Sequence, residues 1–296
     1  MFRGSFTALI TPFKGDRVDE IAFERFVEWQ IAQGTHGLVP TGTTGESPTL
    51  DMTEHKRVIA MCVEVARKRR PVIAGTGSNS TAEAIELTIY AKSAGADACL
   101  IVMPYYNKPT QEGMYQHIKA IHDAVDLPIV MYNVPSRTSC DMLPVTVARC
   151  AELKRVVGIK DSTGNLARAT LQRIGCKPDF VQLTGEDGNA LGFNAHGGHG
   201  AISVTSNIAP ALCAEMQNAC TAGDFTKARA VFDRLMPLHD AMFCETSPGP
   251  VKYAASRLGL CGPDVRLPLA PISDASKRTV DAALIAAGLL QAKAAE

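Results

Sequence analysis

The residue best suited to covalent chemistry is a lysine at the end of an apolar run. Lys160 closes VVGIK (156–160), whose composition indicates a buried strand. An amine enclosed by apolar walls is neutral more readily, because burial penalises the ammonium form, and a neutral amine can attack a ketone to form an imine. A strand-end lysine can also extend into solvent, as most lysines do. Lys160 therefore indicates a Schiff-base site only in combination with its neighbours.

Other polar groups follow apolar runs in the same way. Tyr132 ends PIVMY (128–132), and a phenol beside an iminium could carry the protons that imine formation and carbon–carbon bond formation require. TGTTGES (41–47) offers backbone N–H groups, hydroxyls and close approach at its glycines, which suits a carboxylate. Arg137 could bind a second carboxylate through two parallel hydrogen bonds. Taken singly, each also fits a structural reading: a loop-bonded tyrosine, a helix start at T-x-x-E, or a surface arginine.

The elements that must position these groups alternate between strand and helix. Apolar runs separated by roughly 20–35 residues, the length of a strand–helix unit, predict strands. These runs are FTALI (6–10), GLVP (37–40), PVIAG (71–75), ACLIVM (98–103), PIVMY (128–132), VVGIK (156–160), FVQLT (180–184) and GAISV (200–204). They are apolar throughout, as is typical of parallel strands buried on both faces.

The stretches between these runs have helical periodicity. FERFVEWQIA places Phe23, Phe26, Val27 and Ile31 on one face, and STAEAIELTIYAKSAG opens with a capping serine and closes with glycine. Eight units favour a closed (β/α)8, or TIM, barrel, in which the active site lies at the carboxyl ends of the strands. A doubly wound sheet would more often show a glycine-rich dinucleotide turn after its first strand, where this chain has LITPFKG.

The chain after residue 207 has helical patterns and no further strand signal. We therefore predict an α/β fold with a barrel over residues 1–224, followed by a C-terminal helical extension over residues 225–296. The absence of a signal-peptide pattern and of any apolar run approaching ~20 residues predicts a protein of the cytoplasm that spans no membrane.

Composition limits the class of partner. Thirty basic and thirty acidic residues balance to zero net charge, so the basic excess typical of nucleic-acid binders is absent and a small-molecule partner is expected. Nine cysteines without a C-x-x-C pair predict neither a disulfide framework nor a zinc–cysteine site. His196 and His199 have no third ligand nearby in sequence, so no metal site is predicted.

Five motifs in fixed order resemble the dihydrodipicolinate synthase family, within the pyruvate-dependent class I aldolase and N-acetylneuraminate lyase superfamily. They are GTTGES, PYYNKP with the following Gln-Glu-Gly, YNVPSRT, GIKDSTGN and GGHGAISVTSN. The resemblance runs from FTALITPF to AALIAAGLL, nearly the whole chain. It implies condensation of pyruvate with L-aspartate-4-semialdehyde, the committed step of lysine and diaminopimelate biosynthesis. It also implies no cofactor beyond the imine on the enzyme, and a homotetramer built as a dimer of dimers.

The resemblance also assigns roles in catalysis. Lys160 would form the Schiff base with pyruvate, and Tyr132 would be the central proton shuttle. Thr43 would relay protons to Tyr106, which in the family comes from the neighbouring subunit.

Binding roles follow from the same resemblance. Thr43 and Thr44 would hold the pyruvate carboxylate, and Arg137 the carboxylate of the aldehyde, while Gly185 and Ile202 would line the pocket through their backbones. The family's lysine feedback site maps to Ser47, Pro48, Met52, His55, Asn79, Glu83 and Tyr105. Met52 and Pro48 depart from the histidine and alanine common in strongly sensitive enteric-type relatives, so inhibition by L-lysine is expected but its strength is not fixed.

Three alternatives remain at the level of sequence. Another pyruvate aldolase, acting on N-acetylneuraminate or a 2-keto-3-deoxy sugar acid, would keep Lys160 and Tyr132 but has no need of Arg137. A non-catalytic metabolite-binding relative would not need the whole set of reactive residues. A phosphate-binding barrel enzyme would show a glycine-rich phosphate loop after its seventh strand, which this sequence lacks.

Overall fold

Eight parallel strands form the centre of the computed structural model, which describes residues 2–291. They are β1 (Gly4–Ala8), β2 (Gly37–Val39), β3 (Ile73–Gly75), β4 (Ala98–Val102), β5 (Ile129–Asn133), β6 (Val156–Asp161), β7 (Val181–Thr184) and β8 (Gly200–Ser203). Strands consecutive in the chain are neighbours in the sheet, and β1 also pairs with β8. A bridge between Leu38 and Val72 joins β2 to β3 and closes the ring. The predicted (β/α)8 barrel is confirmed.

Helices surround the strands. They are α1 (Glu20–Ala32), α2 (Met52–Ala66), α3 (Thr81–Ala94), α4 (Gln111–Ala124), α5 (Pro135–Thr138), α6 (Pro144–Ala151), α7 (Ala167–Gly175), α8 (Ala190–Ala195) and α9 (Pro210–Thr221). Phe23, Phe26 and Val27 of α1 are buried, as their spacing predicts. Ser80 caps α3, and Gly95 ends it with a φ of +92°.

Three further helices follow the barrel. They are α10 (Phe225–Ala241), α11 (Gly249–Arg257) and α12 (Asp274–Ala286), with α10 packed on α9 and α12 packed on both α10 and α11. Residues 1 and 292–296, which the predicted barrel and extension included, lie outside the described residues. Among residues 2–291, none of the helices has both the length and the apolar character required to cross a bilayer.

The interior of the barrel is a packed core, not a channel. Phe6, Ile73, Leu100, Val130 and Leu183 lie in one apolar cluster with residues from the other strands, and each is at most 4% exposed. The ring of Phe6 fills the space beside Gly37, where any Cβ would overlap it. Above this core, Tyr132 and Lys160 lie at the carboxyl ends of their strands, where barrels of this kind carry their active sites.

A buried histidine between α3 and α4 makes the stability of the fold sensitive to acid. His117 is 4% exposed, and burial lowers its pKa to about 4, whereas an unfolded chain titrates near 6.5. The stability that depends on neutral His117 is fully present above pH 6.5. It is lost as the pH falls from 6.5 towards 4, because in that range the unfolded chain takes up a proton on this histidine and the folded chain does not. From pH 7 to 4.5 the wild type should lose about 2.5 kcal/mol more unfolding free energy than His117→Gln. Urea denaturation at both pH values measures this, and equal losses would contradict it.

Candidate active site

Two neighbouring strand ends carry the candidate reactive groups. Tyr132 of β5 and Lys160 of β6 occupy paired positions, and the Lys160 Nζ lies 4.1 Å from the centre of the Tyr132 ring. The tyrosine is 5% exposed and the lysine 6%. Side chains alternate along a strand, so Met131 and Ile159 pack outwards against the helices while the two reactive groups face the barrel interior. Lys160 therefore does not extend into solvent.

The alkyl chain of Lys160 depends on a glycine in the next strand connection. A Cβ placed on Gly185 would lie 2.6 Å from the Lys160 Cε and would overlap the Ser162 hydroxyl. The Gly185 N–H donates to the carbonyl of Asp161, at 2.9 Å. Gly185 thus borders the lysine through its backbone, and only a residue without a side chain fits there.

A tight turn follows β2 and borders the cavity next to Tyr132. Thr43–Gly45 is a single 3-10 turn, Thr44 in it is buried, and Thr11 Oγ1 donates to the Gly45 carbonyl at 2.7 Å. The turn and the tyrosine share a small cavity lined by Thr41, Gly42, Thr43, Ser47, Gly75, Gly77, Leu100, Val102 and Tyr132. The predicted carboxylate-binding loop and the predicted proton shuttle therefore lie side by side.

A half-buried carboxyl group, Glu186, interacts electrostatically with the lysine and was not singled out from the sequence. Burial raises the pKa of Glu186, and the positive charge of Lys160 and a hydrogen bond from Ser162 partly oppose this rise. A carboxyl group of raised pKa next to an amine is a candidate proton donor or acceptor. Its position, next to Gly185 after β7, is the only signal that the sequence offers.

The segment that carries Arg137 is braced from outside the barrel. Arg137 is exposed on α5, directly after the end of β5. Asn133 donates to Asp141 at 2.8 Å and accepts from the Met142 N–H, and Arg168 grips the same Asp141 carboxylate at 2.7 and 2.9 Å. These contacts brace both ends of the loop that carries Arg137.

Two of the other predicted site residues differ in their placement. Ile202 of β8 is fully buried in the barrel interior. Tyr106 is 89% exposed and has a φ of +70°, in the left-handed region that non-glycine residues rarely adopt. One chain therefore places Tyr132 beside both Lys160 and Thr43, whereas Tyr106 is exposed and is not among the residues that line the cavity.

The predicted effector residues lie near the first turns of α2 and α3 and in the loops beside them. They are Ser47, Pro48, Met52, His55, Asn79, Glu83 and Tyr105. His55 is 5% exposed, burial lowers its pKa, and its Nε2 donates to the Gly75 carbonyl at 2.8 Å. The Glu83 carboxylate accepts from Ser78 at 2.7 Å, while Met52 is 38% exposed. His55 thus contacts Gly75, which lines the cavity, and the other predicted effector residues are more exposed.

His199 and Cys99 are examples of histidine and cysteine side chains that have structural environments. His199 Nδ1 accepts from the Gln182 N–H at 3.0 Å, and burial raises the pKa of the Cys99 thiol to about 12. Within the described part of the chain, no three His, Cys, Asp or Glu side chains are grouped so that they could hold a metal ion.

The fold and the polar groups at its strand ends define a (β/α)8-barrel enzyme. The chain belongs to the dihydrodipicolinate synthetase family, whose model matches residues 1–287. Over 98% of its length it is 63% identical to the 4-hydroxy-tetrahydrodipicolinate synthase of Rhodospirillum centenum, all of which is covered. The protein is accordingly a lyase.

Solved structures of the family superpose on nearly the whole chain. The dihydrodipicolinate synthase of Acinetobacter baumannii, complexed with pyruvate, has a TM-score of 0.96 and 46% identity, covering 98% of this chain and 100% of that one. The enzyme of Cyanidioschyzon merolae, with lysine bound, has a TM-score of 0.95 and 37% identity, covering 98% and 99%.

Proposed function

We propose that this enzyme condenses pyruvate with L-aspartate-4-semialdehyde to 4-hydroxy-tetrahydrodipicolinate. The observation that carries the proposal is the buried Lys160 amine, 4.1 Å from the Tyr132 ring and beside the turn that holds Thr43. A relative 63% identical is named for this activity, and the Acinetobacter baumannii structure contains pyruvate.

The reaction begins with attack of the Lys160 amine on the keto carbon and loss of water to give an imine. Loss of a methyl proton gives an enamine, whose carbon forms the new bond to the aldehyde. The amino group of the aldehyde substrate then attacks the imine carbon, the bond to Lys160 breaks, and the ring product leaves. Tyr132 carries protons between these steps.

Substrate carboxylates occupy two separate places in this proposal. The N–H groups and hydroxyls of Thr43 and Thr44 receive the carboxylate of pyruvate, and Arg137 receives that of the aldehyde at the mouth. Tyr106 acts in the pocket of a neighbouring subunit, which accounts for its exposure of 89% in one chain. The working assembly is then a dimer or a dimer of dimers. L-Lysine acts as a feedback inhibitor at the site around His55 and Glu83, as the lysine-bound relative supports.

The test is a condensation assay coupled to a reductase, with and without L-lysine. Turnover with pyruvate and L-aspartate-4-semialdehyde supports the proposal, and a rate unchanged by millimolar lysine removes the regulatory part. Absence of turnover, with pyruvate still trapped on Lys160 by borohydride, would instead point to another pyruvate aldolase with a different aldehyde.

Replacing Arg137 with alanine should raise KM for the aldehyde about 10- to 100-fold and leave kcat little changed. The reason is that a charge-assisted contact to a carboxylate distant from the reacting carbons binds substrate and transition state alike. Steady-state kinetics against the aldehyde measures the effect. Arg149→Ala, which removes an exposed ion pair to Glu112, serves as the control. An unchanged KM in the Arg137 variant would assign the aldehyde carboxylate to another group.

A further inference from the structure

A fully buried ion pair connects the C-terminal extension to the turn that faces the pocket. The Lys252 Nζ lies 2.6 Å from Glu46 Oε1, and the two side chains are 0% and 1% exposed. Lys252 lies on α11, whereas Glu46 separates the turn Thr43–Gly45 from a second 3-10 turn, Ser47–Thr49. The two residues are 206 positions apart in the chain.

The extension supplies further contacts to the same carboxylate and to the second turn. Glu46 Oε2 accepts from the Arg266 N–H at 3.0 Å, and the Arg266 guanidinium donates to the Thr49 carbonyl at 2.7 Å. The Phe13 ring lies against both cations, with its centre 4.0 Å from the Lys252 Nζ and 4.4 Å from the Arg266 guanidinium carbon. Both oxygens of the buried carboxylate are therefore bonded, and its side chain has one position.

The backbone of Glu46 is in an unfavourable conformation that needs this support. Its φ is +55°, in the left-handed region, where a residue with a Cβ is strained unless its surroundings hold it. The Glu46 N–H donates to the Thr43 carbonyl at 3.1 Å and thereby closes the turn. The residue that the ion pair holds is therefore bonded directly to the turn that carries Thr43 and Thr44.

Stability alone does not explain the pair. Burial lowers the pKa of Lys252, and the Glu46 charge opposes this only in part, so desolvation works against the ammonium. Neutral side chains of similar volume often replace a buried ion pair without loss of stability. Neutral side chains cannot reproduce the short charged contact that fixes the Glu46 carboxylate relative to α11.

We propose that Glu46 and Lys252 form a positioning pair, which holds the Thr43–Thr44 turn in the geometry that receives the carboxylate of the keto acid. The proposal rests on the proposed function. It makes the C-terminal extension part of the substrate site, although none of the extension's described residues, 225–291, lines the cavity around Tyr132.

The test compares two paired variants. Glu46→Gln/Lys252→Met replaces the buried charges by neutral groups of similar size, while Arg257→Met/Asp281→Asn removes a 3.0 Å ion pair between α11 and α12. Borohydride trapping on Lys160 at increasing pyruvate, read by mass spectrometry, gives the half-saturating concentration without any aldehyde. We expect that concentration to rise at least 10-fold in the first variant and to stay at the wild-type value in the second. KM for pyruvate should rise in parallel, with KM for the aldehyde unchanged.

The outcomes separate the two proposals. A folded first variant, shown by cooperative thermal unfolding, with wild-type half-saturation would overturn the positioning role and leave the proposed function intact. Absence of any adduct in the wild type would overturn the proposed function and this inference with it. If the paired variant does not unfold cooperatively, Glu46→Gln, which keeps the length of the side chain, is measured in the same way and decides between the same outcomes.

Discussion

Replacing Lys160 with alanine is expected to lower kcat by at least about 10³-fold and to abolish the pyruvate adduct. The effect is this large because the amine provides the covalent route, and without it the turn, the tyrosine and the arginine can only bind substrates. The truncation also leaves a space beside the Tyr132 ring, whose centre is 4.1 Å from Nζ. The coupled assay measures the rate, and borohydride trapping followed by mass spectrometry measures the adduct.

The matched control lies just before the start of the same strand. Lys154 is exposed and precedes β6, at the face of the barrel away from the pocket. Lys154→Ala should keep both the turnover and the adduct of the wild type. An adduct that persists in Lys160→Ala would show that a different lysine carries the chemistry, and turnover without an adduct would exclude a Schiff base.

Replacing Gly185 with alanine is expected to lower kcat/KM about 100-fold. The added methyl group would lie 2.6 Å from the Lys160 Cε and would overlap Ser162, so the lysine must move by a substantial fraction of an ångström. Misplacement of a reacting group by about 1 Å can reduce rates by this factor. Both the steady-state rate and the rate of adduct formation should fall.

Gly188 provides a control in the same connection. An alanine there would lie 3.5 Å from the Met236 Cε, an ordinary contact, and should leave the rate unchanged. If Gly185→Ala and Gly188→Ala change kcat/KM by the same factor, the effect of Gly185→Ala does not arise from displacement of Lys160.

The strands could be predicted from the sequence because strands that are buried on both faces consist of continuous apolar residues. All eight apolar runs overlap strands, and the shared carboxyl edge of those strands brings Tyr132 and Lys160 together as expected. The first strand is displaced: the run FTALI predicts residues 6–10, whereas β1 is Gly4–Ala8. Gly4 and Ser5 pair with Gly200 and Ala201 through backbone hydrogen bonds. Such pairing does not require apolar side chains, so the sequence does not mark these two residues as part of the strand.

The contacts that complete the site were not predictable in the same way. The sequence indicates that Glu46 belongs to a polar turn, but it does not indicate that Lys252 is buried, because lysine is usually exposed. No periodicity links residues 206 positions apart. Similarly, the half-buried Glu186 is of interest because its pKa responds to Lys160, and their proximity depends on how β6 and the loop after β7 meet in space.

The buried pair also has a consequence for the order in which a newly made chain matures. At ribosomal rates of about 5–20 residues per second, roughly 10 to 40 s pass between synthesis of Glu46 and synthesis of Lys252. By the end of that interval all eight strands have been synthesised, but the Glu46 carboxylate still lacks its ion-pair partner Lys252. A chain released early, after the eighth strand, would carry a lone carboxylate in its interior and should be removed by proteases instead of persisting as a partly active fragment.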